Sequence, residues 1–251
     1  MNVKIFRSIQ EIEPTLWDSI ISDNSLYKKH SFLSAIEDSD LSNSRYWYIL
    51  FFEDSKLVAH TTLFTTYSYI DESMTGKFIK LRYIANKIRI ILPFFLRAKI
   101  VACGTPIATC SNMLTLDDLE KCKNILIDLD KLIKKISKQE KAHMILYRDF
   151  DVFESEKIDI LKRLGYIKVH SPPAAFLDIK WESFTNYMSS FKSSFRNEMK
   201  RNLKKFEKGD LTLDISSNFS EHADRIYQLY SNVYEKAEFK FEKLTPAFFL
   251  I

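Results

Sequence analysis

The densest group of side chains able to do chemistry lies between residues 183 and 208. Lys192, Arg196, Lys200 and Lys204 step by four, joined by Arg201, Lys205 and Lys208, against only Glu198 and Glu207. On a helix that spacing draws one cationic stripe. Such a stripe is either a solvated face or a seat for an anionic group, whether a small phosphate, a pyrophosphate or a nucleic acid backbone. A second candidate is Arg148, in Tyr147-Arg148-Asp149-Phe150 at the end of an expected central strand, where sites gather in α/β sheets. Strand alternation sends Arg148 and Asp149 to opposite faces, so they are not expected to pair. Arg148 reads equally well as a buried structural contact or a substrate contact. Gly104-Thr105-Pro106 follows another short strand and would offer backbone N–H groups to an anion or carbonyl, although such a triplet is more often a plain turn.

Several chemistries are excluded by what is missing. The chain has 251 residues, only 4 of them glycine, where average usage would give about 18. No dinucleotide-binding turn, Walker loop or nucleophile elbow is written in it. Cys103, Cys110 and Cys122 show no C-x-x-C spacing, and the five histidines form no helical pair, so no metal site is expected. The formal net charge is +4, too small for a basic coat over the whole chain, which counts against a nucleic-acid binder. The amino terminus carries charges where a signal peptide needs an apolar core. The densest apolar run, residues 90–96, is far short of the ~20 residues that span a bilayer. The expectation is a soluble cytoplasmic protein.

These candidates need elements to position them. Residues 3–9 read as a strand, followed by short helices at 14–21 and 31–37, with Ser31 as an N-cap. Residues 46–52 and 57–69, joined by Glu53-Asp54-Ser55-Lys56, read as an antiparallel hairpin. The basic and apolar stretch 77–99 reads as helical on both sides of Pro93, leading into a strand at 99–103. Residues 116–141 have helical apolar spacing, with Thr115 and Asp118 approximating a capping box. Strands at 144–147 and 166–169 flank a helix at 154–164 that stops at Gly165. Helices alternating with strands predict an α/β fold with a mixed sheet flanked by helices.

Ser171-Pro172-Pro173 is the clearest punctuation in the chain and divides it into residues 1–170 and 171–251. After an extended stretch at 175–179, a long helix is expected over 183–208. Its apolar stripe (Phe184, Tyr187, Phe191, Phe195, Met199, Leu203 and Phe206) belongs in a core. A strand at 211–215 and a helix from Ser220 to about Ala237 follow. Thr245-Pro246-Ala247-Phe248-Phe249-Leu250-Ile251 looks like a helix start that stops short. It is expected to leave an exposed apolar stub that favours self-association or a partner completing the sheet, with a docked terminal turn as the other reading.

Ser183-Phe184-Thr185-Asn186-Tyr187-Met188, followed by Phe195-Arg196, Lys200-Arg201 and Glu207-Lys208-Gly209-Asp210-Leu211, resembles the aromatic and basic helix of the FemAB-like branch of GNAT-fold acyltransferases. Leu229-Tyr230-Ser231-Asn232-Val233-Tyr234 and Lys243-Leu244-Thr245-Pro246-Ala247-Phe248-Phe249 resemble its next helix and helix start. Trp17, residues 30–37, 103–106 and 148–150 fit as well. The resemblance implies a complete GNAT-like unit over 1–170 and an incomplete second unit over 171–251, in a chain that reads as truncated. It implies N-acyl or aminoacyl transfer from a small-molecule acyl donor, with acyl-coenzyme A as the cofactor, to an amine acceptor. Arg196, Lys200, Arg201, Lys204 and Arg148 would hold an anionic group, and no catalytic base stands out. The alternatives are a non-catalytic relative that keeps a binding surface and, less favoured, a nucleic-acid binder.

Overall fold

The structure, a computed structural model, describes residues 1–21, 26–41, 44–73, 79–107, 114–116, 121–150, 157–169, 175, 177–209, 212–216, 218, 220–237 and 243–250. Its contacts divide it into two compact units, Met1–His170 with Ser220–Ile251, and Ser171–Phe219.

The first unit is built on a mixed sheet in the order β1-β2-β3-β4-β6, with β5 attached to β3. These strands are β1 (Asn2–Phe6), β2 (Tyr46–Glu53), β3 (Lys56–Tyr69), β4 (Arg97–Cys103), β5 (Thr115–Leu116) and β6 (Met144–Tyr147). All pairings are antiparallel except β4 with β6. The β2–β3 hairpin closes where Glu53 faces Lys56. Asp54 and Ser55 take φ of 48° and 69°, which matches the right-handed twist of the strands they join.

The continuous apolar run of β2 has a physical explanation: both faces of the sheet are covered. Trp47, Ile49 and Phe51 pack with Val101, Cys103 and the apolar side of α4 (Cys122–Gln139), chiefly Ile125, Leu126, Leu129 and Ile133. Tyr46, Tyr48, Leu50 and Phe52 pack on the other side with Ile9, Trp17, Leu33 and Ile36. That layer contains α1 (Pro14–Asp18) and α2 (His30–Asp38). A capping box missed in the sequence, Ser8 with Glu11, starts the single turn before α1.

Several boundaries differ from expectation. Helix α2 starts at His30 with Lys29 at its N-cap, so Ser31 lies inside the helix. Thr115 and Leu116 pair with β3 instead of opening α4, and Asp118 lies outside the described residues. Residues 154–156 also lie outside them, and what is seen of that helix is a 3-10 turn at Lys157–Asp159 and α5 (Ile160–Arg163). Helix α3 (Ile79–Arg89) stands before Pro93 as expected, but after Pro93 the chain turns directly into β4. Residues 166–169 have no ladder partner among the described residues. β6 therefore pairs only with β4 there and is an edge strand instead of a central one.

The end of the chain returns to this unit through α8 (Ala223–Lys236). Thr245 Oγ1 donates to the Ser39 carbonyl at 2.6 Å, and the Tyr230 hydroxyl accepts from Leu244 N at 2.9 Å. The Phe249 ring sits 6.0 Å from that of Tyr227 and 5.6 Å from that of Tyr230. Of the apolar stub expected from the sequence, Phe248 and Phe249 are half-buried in this docked turn, Leu250 is 62% exposed, and Ile251 lies outside the described residues.

Among its described residues the second unit contains two helices, α6 (Phe184–Ser189) and α7 (Ser193–Lys208). The single long helix expected over 183–208 is interrupted because serines turn inward on their own backbone. Ser189 donates to the Thr185 and Asn186 carbonyls, and Ser190 donates to Tyr187, competing with the helical ladder. Trp181, Tyr187 and Phe191 rings pack edge to face at 4.7 and 4.6 Å. No residue of α7 is buried, and Phe195 is 64% exposed, so its apolar stripe is not the core stripe expected. Residues 212–216 are irregular and Leu211 lies outside the described residues, as do Ser171, Pro172 and Pro173.

Candidate functional site

The parallel strands β4 and β6 carry the chemistry-bearing residues of the first unit at their carboxyl ends. Their register brings Cys103 opposite Tyr147, and Arg148 N donates to the Cys103 carbonyl at 3.3 Å. Gly104 follows with φ of +125°, and a Cβ there would lie 3.3 Å from Arg148 Cγ. Glycine suits the position on both counts: an L side chain rarely adopts this backbone conformation, and a Cβ would press on the Arg148 stem.

Arg148 and Asp149 do pair, contrary to the alternation argument. Arg148 Nε donates to Asp149 Oδ2 at 2.6 Å. The reason is that Asp149 has left the strand, with φ of 60°, a left-handed conformation uncommon outside glycine, asparagine and aspartate. Burial pushes the Asp149 carboxyl above its ordinary range, and the neighbouring guanidinium only partly offsets this. A half-buried carboxyl with a raised pKa at a strand end is a candidate acid-base group. The sequence reading missed it, since its only local signal was an aspartate directly after a strand.

The surroundings are tightly bonded. Burial raises the Cys103 thiol to about 12, despite its contact with Thr61 Oγ1 at 3.3 Å. That thiol is a core residue, not a nucleophile. Tyr147 and Tyr166 meet edge to face at 5.1 Å, and the Tyr166 hydroxyl donates to buried Asp130 at 2.7 Å. Burial raises both phenols well above their usual value. His60 stacks on Trp17 at 3.8 Å, and burial lowers its pKa to about 3, with Lys28 adding to the effect. It stays a neutral core imidazole at ordinary pH.

The expectation that Gly104-Thr105-Pro106 offers free amides does not hold for the glycine, because Gly104 N donates to the Thr62 carbonyl at 2.9 Å. Arg148 N is also engaged, and proline has no N–H. Neither the Gly104 nor the Arg148 amide is therefore free to cradle the pyrophosphate of coenzyme A. No group of three or more His, Cys, Asp or Glu among the described residues could hold a metal ion.

The remaining predicted site residues belong to α7 in the second unit. Lys200, Arg201 and Lys204 are exposed on it, while Arg196 is half-buried. Arg196 Nη2 donates to the Phe191 carbonyl at 2.9 Å, bonding the carbonyl just before the start of α7. The structure brings these four together on one helix and puts Arg148 in the other unit.

A family model described as peptidoglycan biosynthesis/recognition, FemAB-like, matches residues 8–251. The chain belongs to the FemAB-like family. The fold of this FemAB-like chain is the mixed α/β sheet flanked by helices expected above. Among curated proteins, it is 22% identical over 223 residues to a Mycobacterium tuberculosis protein that carries the name 8-amino-7-oxononanoate synthase 2. The match covers 88% of this chain and only 28% of that protein. Similar solved structures include BH1408 from Bacillus halodurans, at 13% identity and TM-score 0.42, covering 70% of this chain and 99% of that one. Another is the aminoglycoside 6′-N-acetyltransferase AAC(6′)-Ig of Acinetobacter haemolyticus, at 9% and 0.41, covering 72% and 100%. A third is a ribosomal-protein-alanine N-acetyltransferase of Brucella melitensis, at 6% and 0.41, covering 70% and 100%.

Proposed function

We propose that this chain acts in N-acyl transfer, moving an acyl or aminoacyl group from an activated donor to an amine. The observation that carries the reading is the family match over residues 8–251. In the proposed reaction the amine nitrogen attacks the activated carbonyl carbon and a carbon–nitrogen bond forms. The bond to the leaving group breaks, and the proton shed by nitrogen passes to Asp149. Its raised pKa suits that role, because a carboxylate of ordinary acidity is a weaker base. Arg148, across Gly104, holds Asp149 in place. In the second unit, taken by itself, the exposed flank of Lys200, Arg201 and Lys204 is an anion-binding face, with Arg196 bracing the helix start. Acyl-coenzyme A is the donor that the family resemblance implies.

A second reading, recognition without turnover, is favoured by one observation: the amides of Gly104 and Arg148 are already bonded within the sheet. Thioester consumption across a panel of acyl-coenzyme A donors and amines separates the two. Turnover that falls at least tenfold in Asp149→Asn supports transfer. Turnover indifferent to Asp149 removes its role, and amine binding with no turnover for any donor leaves recognition.

A further inference from the structure

Between residues 79 and 99 the chain carries Lys80, Arg82, Lys87, Arg89, Arg97 and Lys99 and no carboxylate at all. The same stretch contains the most exposed run of large apolar side chains in the first unit. Ile90 and Ile91 are each 82% exposed, Leu92 58% and Phe94 72%. Leu81, Tyr83 and Ile84 extend the run along α3. A soluble surface rarely presents so many large apolar residues together without covering them.

This is not a slack loop. The amides of Ile90, Ile91, Leu92, Phe95 and Arg97 all donate to carbonyls within residues 87–94, and Pro93 has no amide to satisfy. The Tyr69 hydroxyl donates to the Pro93 carbonyl at 3.1 Å, and Arg89 Nε to that of Phe95 at 3.3 Å. Ile70 N donates to the carbonyl of Leu96 at 3.0 Å. Arg89 is itself tied to buried Asp71. With those five amides bonded internally, the turn enters an apolar medium at a lower cost in stranded polar groups.

The charges say what the medium is. Lys80, Arg82, Lys87 and Arg97 have no carboxylate partner among the described residues. The Arg97 guanidinium lies 4.2 Å over the Tyr67 ring and 5.6 Å over that of Phe94. There it opens on a recess of about 530 Å³ lined also by Arg45, Lys99 and His143. Apolar tips ringed by cations and aromatic rings match the boundary between acyl chains and anionic headgroups. A second copy of this face would meet it with the same sign of charge and be repelled.

We infer that the turn over residues 90–96, with α3 and the Arg97 recess, is a peripheral docking surface for anionic phospholipid membranes. The tips of Ile90, Ile91, Leu92 and Phe94 enter the acyl boundary while Lys80, Arg82, Lys87 and Arg97 meet headgroup phosphates. The inference is independent of the acyl-transfer reading, since the whole surface lies outside the Arg148–Asp149 site.

The test is flotation of the purified chain with vesicles of phosphatidylcholine alone or with about 30% phosphatidylglycerol. Partition into the anionic vesicles should be at least tenfold stronger and should weaken as salt rises. Ile91→Glu with Phe94→Glu should reduce it at least tenfold while leaving the thermal transition in place, because both side chains are exposed. Lys80→Gln, Arg82→Gln and Lys87→Gln together should reduce it by about fivefold per charge removed. Phe94→Trp should give an emission blue shift only with anionic vesicles. Equal partition into both vesicle types, or partition unchanged in the Ile91/Phe94 variant, overturns the inference. So does a dimer, seen by sedimentation, that this variant dissolves without any vesicle binding.

Discussion

Replacing Gly104 by alanine tests whether the backbone and the Arg148 stem together dictate that residue. The φ of +125° is one an L side chain rarely adopts, and the new Cβ would press on Arg148 Cγ at 3.3 Å. The backbone part should cost about 1–3 kcal/mol, and the tight contact adds a smaller amount, since the arginine stem shifts by a few tenths of an ångström. For a unit of this size each kcal/mol moves the thermal midpoint by about 2–4 °C. Gly165 provides the comparison, with φ of +98° and nothing within 4 Å of the built Cβ. Gly165→Ala should show the backbone cost alone. Urea melts of Gly104→Ala, Arg148→Ala and the double variant form a cycle. Arg148→Ala should recover only the contact part, leaving Gly104→Ala still costly by about 1 kcal/mol or more. A neutral Gly104→Ala, or one fully rescued by Arg148→Ala, would refute the backbone argument.

Asp149→Asn should be at least as stable as the parent at pH 7, because the fold disfavours the ionised carboxyl and asparagine tolerates the left-handed backbone. A raised folded pKa withholds stability only above the unfolded value, so thermal melts of the two should converge as pH falls below about 4. His60 has the opposite sign: its pKa is lowered from 6.5 to about 3. Only the unfolded chain takes up that proton between those values, so stability is full above pH 6.5 and falls as acid is added. His60→Phe should flatten the dependence of unfolding free energy on pH by up to one proton across this window. Phe64→Ala, at a fully buried ring, should cost about 3–5 kcal/mol in denaturant melts. Phe195→Ala should cost about 1 kcal/mol or less, because that ring is largely exposed.

Local periodicity was enough to place the β2–β3 hairpin, the α4 helix and the α8 helix. Their apolar spacing and turn residues are properties of neighbouring positions, and tertiary structure overrode only the start of α4, where Thr115 and Leu116 pair with β3. The shortage of glycine likewise excluded the phosphate-binding loops, since those loops need glycine at fixed offsets. The family resemblance was legible in the aromatic and basic motif after residue 183, because side-chain order survives even where the helix itself is interrupted. What remained hidden depended on partners distant in sequence. Residues 166–169 and 212–215 had strand-like composition, but a strand exists only through a ladder, and no described residues pair with them. The stripe from Phe195 to Phe206 had core periodicity, yet spacing cannot say whether anything covers a face. Arg148 and Asp149 met because one residue turned left-handed at the strand end. Alternation predicts directions only while the chain remains a strand, so that pair was decided by tertiary structure alone.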